Sequence, residues 1–213
     1  MNRHEGQKGG PKRPQKFLRV RPTILVACEG EQTEPNYVNG FFKDLCTKRI
    51  ISPQSYAFAP HQHTDPCGVL KDLLSYKRNG LRSEDFTQKW IFIDRDEIRT
   101  NCGSGHTKEN FNKAIADAKS KNVNVVWSNP CFEIWFLLHF EFRNTPVDRA
   151  ELPAILSKHL ETEYRKNHPD MYSFLKPKFE TAMNNAEKLL AKASNPSEAN
   201  PATSIPIFFK NFR

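Results

Sequence analysis

KWIFIDRDE, Lys89–Glu97, is the stretch on which the reading of this chain turns. A short apolar run, Trp90–Ile93, stops at Asp94-Arg95-Asp96-Glu97. Four apolar residues bounded by charge read as a buried strand. Side chains two apart on an extended chain point the same way. Asp94 and Asp96 therefore present two carboxylates to one point, provided the chain stays extended for two residues past the strand. Hard divalent cations, Mg²⁺ above all, are held by such pairs. A solvated acidic turn is the competing reading, because Asp favours turns. On this stretch alone the two stand level.

Upstream, Thr23–Cys28 (TILVAC) is a continuous apolar run, the pattern of a strand buried on both faces. It stops at Glu29-Gly30-Glu31. Thr33 or Glu34 then offers a helix cap, with Pro35 in the first turn, and Tyr37, Val38, Phe41, Phe42 and Leu45 form one apolar face. Tyr56–Ala59 is a second, weaker strand. His61-Gln62-His63 follows it, and Asp65-Pro66 opens a helix that Asn79-Gly80 is expected to close. Beyond the Asp-x-Asp stretch lies a Gly/Ser loop, residues 98–106. Thr107 caps a helix whose apolar face is Phe111, Ala114, Ile115 and Ala118. Val123–Trp127 reads as a fourth strand, and Ser128-Asn129-Pro130 as the cap and first turn of a helix running through Phe140.

Strand and helix alternate four times, which argues a parallel sheet with helices on its faces. In such sheets the site lies outside the carboxyl ends of the strands. Glu29, Glu31, His61, His63, Asp94, Asp96 and Glu133 all follow strand ends, so all are expected on that edge. From Asn144 the character changes. Residues 144–213 read as a helical extension packed on the 23–143 domain, broken by Pro153, Pro169 and Pro177. Its last apolar residues, Ile207, Phe208, Phe209 and Phe212, either cover the core or meet a partner.

The net charge is +8. Within residues 1–22, Arg3, Lys8, Lys12, Arg13, Lys16, Arg19 and Arg21 stand against Glu5 alone, so the excess charge is concentrated in a Gly/Pro-rich tail. Such a tail suits nucleic-acid phosphates, and equally serves as a solubilising arm. No apolar run approaches membrane-spanning length, so no membrane role is expected. The five cysteines form no CxxC pair, and the chain reads as cytoplasmic and reduced.

A carboxylate after the first strand and an Asp-x-Asp after a later strand of the same sheet make a metal-site pattern. Asp94 and Asp96 would hold Mg²⁺, with Mn²⁺ as the alternative, and Glu29 would bind the metal or move a proton. At these residues the chain resembles the Toprim family, whose pattern is a Glu closing the first strand and a later DxD. It resembles more closely the RloB family, through CEGEQTEPNY, IFIDRDE, SNPCFEIWFLLHF and, more weakly, NPATSIP. The resemblance implies a Toprim-like, Rossmann-like α/β fold. It also implies a metal-dependent nuclease activity on DNA or RNA, association with phage defence, and a partner ATPase encoded alongside. The Toprim motif carries over to Glu29, Asp94 and Asp96 as the metal set.

Glu133 opens an apolar helix, where an acid is costly unless paired, and is read as a catalytic partner of Glu29. Arg95, His61 and His63 are candidates for phosphate contact, each with a plain solvated or loop reading beside it. Lys89, flanking the same strand, has the same two readings. Glu34 is read as charge complementing a helix start, Glu31 is left open, and His139, Trp127 and Trp135 are read as core. A non-catalytic nucleic-acid-binding or sensor subunit is the alternative to the nuclease. A nucleotide-processing enzyme is disfavoured by the lack of GxxxxGK[ST] and GxGxxG turns.

Overall fold

The computed structural model describes residues 23–97 and 105–212. The basic tail and most of the Gly/Ser loop, 98–104, lie outside them. Seven strands and eight α-helices are found among the described residues. In chain order they are β1 Ile24–Cys28, α1 Thr33–Thr47, β2 Tyr56–Phe58, α2 Pro66–Leu74, β3 Lys77–Arg78, β4 Leu81–Arg82, β5 Gln88–Asp94, α3 Lys108–Ser120, β6 Asn124–Asn129, α4 Glu133–Leu137, α5 Leu152–Leu160, α6 Met171–Leu175, α7 Phe179–Leu190, β7 Ala202–Thr203 and α8 Ile205–Lys210.

The central sheet runs β2-β1-β5-β6-β7. The first four strands are parallel and β7 is antiparallel to β6. The architecture is therefore α/β with a mostly parallel sheet flanked by helices, as the alternation implied, and it is compatible with a Toprim-like arrangement. β1 is buried along its whole length, and β5 from Trp90 onward. Continuous apolar runs of this kind are what two covered faces require. Asp65 caps α2 by accepting from Gly68 N at 3.1 Å, and Thr107 caps α3 by accepting from Asn110 N at 3.1 Å.

Four expectations give way. Asn79-Gly80 does not close a helix; α2 stops at Leu74, and Asn79 (φ +52°) and Gly80 (φ +78°) turn the β3–β4 hairpin. Two consecutive positive φ values are what a tight hairpin needs, and Asn-Gly is the pair that tolerates them. Ser128 and Asn129 do not cap a helix, because both are still paired in β6. The helix after them, α4, is one short turn with Phe132 at its N-cap position. Neither Thr33 nor Glu34 caps α1: Gln32 precedes it, with no side-chain cap. Lastly, the segment after Asn144 is not only helical. Its β7 enters the sheet, and α8 seals the core.

That sealing answers what the last apolar residues do. Phe208 and Phe209 are fully buried, while Ile207 is exposed. Phe208 meets Trp90 and Phe92 of β5 edge-on, each at 5.1 Å between ring centroids. Phe209 lies 4.7 Å from Phe41 of α1. Trp127, Trp135 and His139 are core residues, as read. His139 donates Nδ1–H to the Trp135 carbonyl (2.9 Å) and accepts from the Tyr37 hydroxyl at Nε2 (3.2 Å).

Candidate metal centre

Glu29, Asp94 and Glu133 come from the ends of β1 and β5 and the start of α4, and face one cleft of about 510 Å³ at the carboxyl edge of the parallel strands. Glu29 organises it. Its Oε2 accepts from the backbone N–H of Asp94 at 3.0 Å, which ties the end of β1 to the end of β5. Its Oε1 accepts from His106 Nε2 at 2.6 Å.

Asp94 and Asp96 share the cleft but not a point. The strand ends at Asp94, and Asp96 takes φ +32°, a left-handed conformation that breaks the two-residue alternation. The condition for a convergent pair, extended chain past the strand, is not met. The ligand atoms instead fall into two groups, each mutually within 4.8 Å: Glu29, Asp96 and His106, and Asp94, Cys131 and Glu133. The first is partly open and the second is buried. No ion is needed to explain the backbone geometry. The hydrogen bonding of the carboxylates is another matter. Asp94 is 7% exposed and lines the cleft, yet its carboxylate accepts no hydrogen bond from any described residue.

Glu34 belongs to this cluster, contrary to its reading as a helix-start charge. It is 3% exposed, and its carboxylate reaches back to accept from Gly30 N at 3.0 Å. A Cβ at Gly30 would fall onto that carboxylate, so a larger residue there would push the Glu34 side chain aside. Burial, reinforced by Glu133 and Glu29, pushes the Glu34 carboxyl up to about 7. Burial and the nearby Glu34, Glu29 and Glu133 carboxylates raise Asp94 well above the usual carboxylate range. Burial also raises the Cys131 thiol, with Glu133 and Asp94 adding to the effect. Crowded carboxylates lacking enough positive charge are the donor set that a hard dication fits.

His61 lines the cleft with its Nε2 on the Glu29 carbonyl at 3.0 Å. His63 turns the other way: its Nδ1 is 2.6 Å from Asp72 Oδ1, and the buried Asp72 also accepts the backbone N–H groups of Gln62 and His63. The pair is not brought together. Arg95, expected to touch substrate, is 4% exposed and clamps the backbone, donating to the Ser197 carbonyl (3.2 Å) and the His106 carbonyl (2.8 Å). Lys89 stands toward the opposite end of β5 from Asp94, away from the cleft. Glu31 is exposed at the cleft's rim.

Four residues of the cleft were missed in sequence. His106 follows a glycine-rich loop, and the glycine before it was the one available hint: Gly105, at φ +118°, lies so close to the Asp96 and Glu97 backbone that a Cβ would collide with it. Arg149 pairs with Asp96. Lys166 Nζ is 3.4 Å from Glu133 Oε1, and the buried Tyr164 hydroxyl donates to the same oxygen at 3.3 Å. These last three come from the segment read only as a helical extension.

A family model described as RloB-like protein matches residues 24–211. No curated protein matches the chain. No solved structure matches it either.

Proposed function

The chain belongs to the RloB-like family, and from that premise we propose that it is a divalent-cation-dependent nuclease of the Toprim type, using Mg²⁺ or Mn²⁺ to hydrolyse DNA or RNA phosphodiesters. The observation that carries this reading is Asp94, a carboxylate more than nine-tenths buried, lining an acidic cleft and given no hydrogen-bond donor by the described residues. Keeping such a group ionised costs on the order of several kcal/mol, which is what raises its pKa, and a bound cation would offset that cost. Glu29, Asp96 and His106 on one side, and Asp94 and Glu133 on the other, would hold the dication. When bound, it supplies charge neutralisation at the phosphoryl group and acidifies water.

The remaining roles fall to the chain itself. Glu34, a buried carboxylate lining the cleft, accepts the proton of the attacking water. The water oxygen adds to phosphorus as the ester P–O bond breaks, and the departing oxygen is protonated from solvent. Glu29 fixes His106 and the end of β5 together. Tyr164 fixes Glu133. Action within phage defence beside a partner ATPase is part of the same proposal and rests on the resemblance alone.

Cleavage of plasmid, single-stranded DNA and RNA, with Mg²⁺ and with Mn²⁺, in the presence and absence of the ATPase, tests this directly. The wild type is expected to cut at least one substrate, and Asp94→Ala/Asp96→Ala to cut none while keeping its fold. Undiminished cleavage by the double variant removes the mechanism. Salt-sensitive nucleic-acid binding without turnover under every condition would favour the non-catalytic subunit instead.

A further inference from the structure

Each half of the acidic cluster carries one basic side chain from beyond Asn144. Arg149 pairs with Asp96, and Lys166 Nζ lies 3.4 Å from Glu133 Oε1. Asp96 belongs to the first group of candidate ligands and Glu133 to the second. Both basic residues line the same cleft. The Lys166 side chain is 53% exposed over a carboxylate that is 4% exposed, and Arg149 is 25% exposed over one at 16%. The carboxylates are the more buried partner in each pair, and the basic groups have more solvent to move into. The Lys166 backbone is anchored, because its carbonyl accepts from Thr33 Oγ1 at 3.1 Å, so the ammonium swings on a tethered stem.

A dication and a side-chain cation cannot both hold the same carboxylate oxygens without repelling each other. We propose that Arg149 and Lys166 are exchangeable counter-ions: they hold Asp96 and Glu133 while the cleft lacks a dication, and move to the phosphate oxygens of the nucleic acid once one binds. The guanidinium of Arg149 matches a phosphate with two parallel N–H donors, and Lys166 supplies a mobile point charge. The cleft is then partly neutralised by its own side chains at rest and acquires its substrate grip when the metal arrives. This rests on the reading of the cleft as a cation site.

The test uses Mn²⁺ as probe on the full chain, followed by electron paramagnetic resonance, in the wild type, Arg149→Gln/Lys166→Gln and Asp94→Asn. With its competing cations removed, the double variant is expected to bind Mn²⁺ about threefold to tenfold tighter, the scale of partly exposed ion pairs. Its Mn²⁺-loaded form is expected to bind a short single-stranded DNA about tenfold more weakly than loaded wild type. Arg149→Lys/Lys166→Arg, which keeps both charges, should restore the Mn²⁺ affinity and part of the DNA affinity. Mn²⁺ uptake that is lost in Asp94→Asn but unmoved or weakened in the double variant overturns the exchange and leaves the cation site standing. Tighter Mn²⁺ with unchanged DNA affinity overturns the handover to phosphate. No uptake by wild type overturns the cation site and this inference with it.

Discussion

Glu29 and His106, 77 residues apart in the chain, meet through a 2.6 Å hydrogen bond from His106 Nε2 to Glu29 Oε1. The histidine is held on three sides. Its backbone N–H donates to the Asp96 carbonyl at 2.6 Å, and its own carbonyl accepts from Arg95. On the proposed reading, a ring held in this way against an acid of the cleft serves the centre as well as the fold. His106→Ala should lower turnover by about 100-fold or more, the scale of a positioned proton-transfer or ligand group, with little change in melting temperature. Equal turnover by His106→Ala and wild type would make the contact merely structural.

Arg95 binds the C-terminal segment to the centre. Its side chain donates to the Ser197 and His106 carbonyls from a buried position. Arg95→Ala leaves two carbonyls without donors and should cost about 2–5 kcal/mol. Arg95→Lys should not restore it, since an ammonium cannot span both acceptors as the planar fork does. Urea unfolding reads the loss, and limited proteolysis near residues 195–200 should quicken. A wild-type denaturation midpoint in Arg95→Ala would sink the clamp.

Acid should weaken the fold through His139. Burial holds this histidine down to about 4, against 6.5 for the free group. Between those values the unfolded chain binds the proton and the folded chain does not. Stability from this group is therefore full above about pH 6.5 and is lost as pH falls toward 4, by about 3 kcal/mol at most. His139→Gln should flatten that limb in unfolding free energies measured across the range. An unchanged slope in the variant would assign the acid loss elsewhere.

Glu34 acts in the opposite sense. Its carboxyl is raised to about 7 in the fold from 4.5, so the folded chain holds the extra proton between those values. Metal-free protein should lose stability as pH rises from about 4.5 through about 7, with Asp94 contributing in the same direction. Glu34→Gln should remove most of that limb. Mg²⁺ should raise the melting temperature more at pH 8 than at pH 6, because the cation compensates carboxylates that have by then ionised. A Mg²⁺ effect independent of pH would contradict this.

Phe208 is fully buried between β5 and α1 and touches Trp90, Phe92, Phe41 and Phe42. Phe208→Ala should destabilise by about 3–5 kcal/mol, as large core truncations do. Ile207→Ala, on the exposed side of the same helix, should fall within about 0.5 kcal/mol of wild type. Comparable losses at the two positions would mean that α8 does not face inward as described.

The α/β alternation, the buried strands and the acidic carboxyl edge were legible because each depends on local pattern, above all the apolar runs. What escaped at the site depends on distant contacts. Asp96 was aligned with Asp94 by strand periodicity, and only the left-handed turn after the strand separates them. Glu34 looked like a surface helix start because nothing local says that three other acids will surround it. Arg95 sits between two aspartates and read as a substrate contact, while its partner carbonyls lie at His106 and Ser197. Arg149, Tyr164 and Lys166 stand in polar, proline-broken sequence whose helical period carries no hint of a cleft. β7 is two residues long, too short for any periodic signal.

The order in which the chain is synthesised gives the antiparallel pairing of β7 with β6 a further meaning. Residues from Glu29 to Lys166 line the cleft, but the strand and helix that close its scaffold are Ala202–Thr203 and Ile205–Lys210. A nascent chain that stops short of them has every acidic residue of the centre and neither the last strand nor the aromatic seal behind β5. On the proposed reading, the centre needs residues 202–210 as much as the acids that line its cleft. A chain that stops before residue 202 is then expected to carry the acids without the backing that holds them in place.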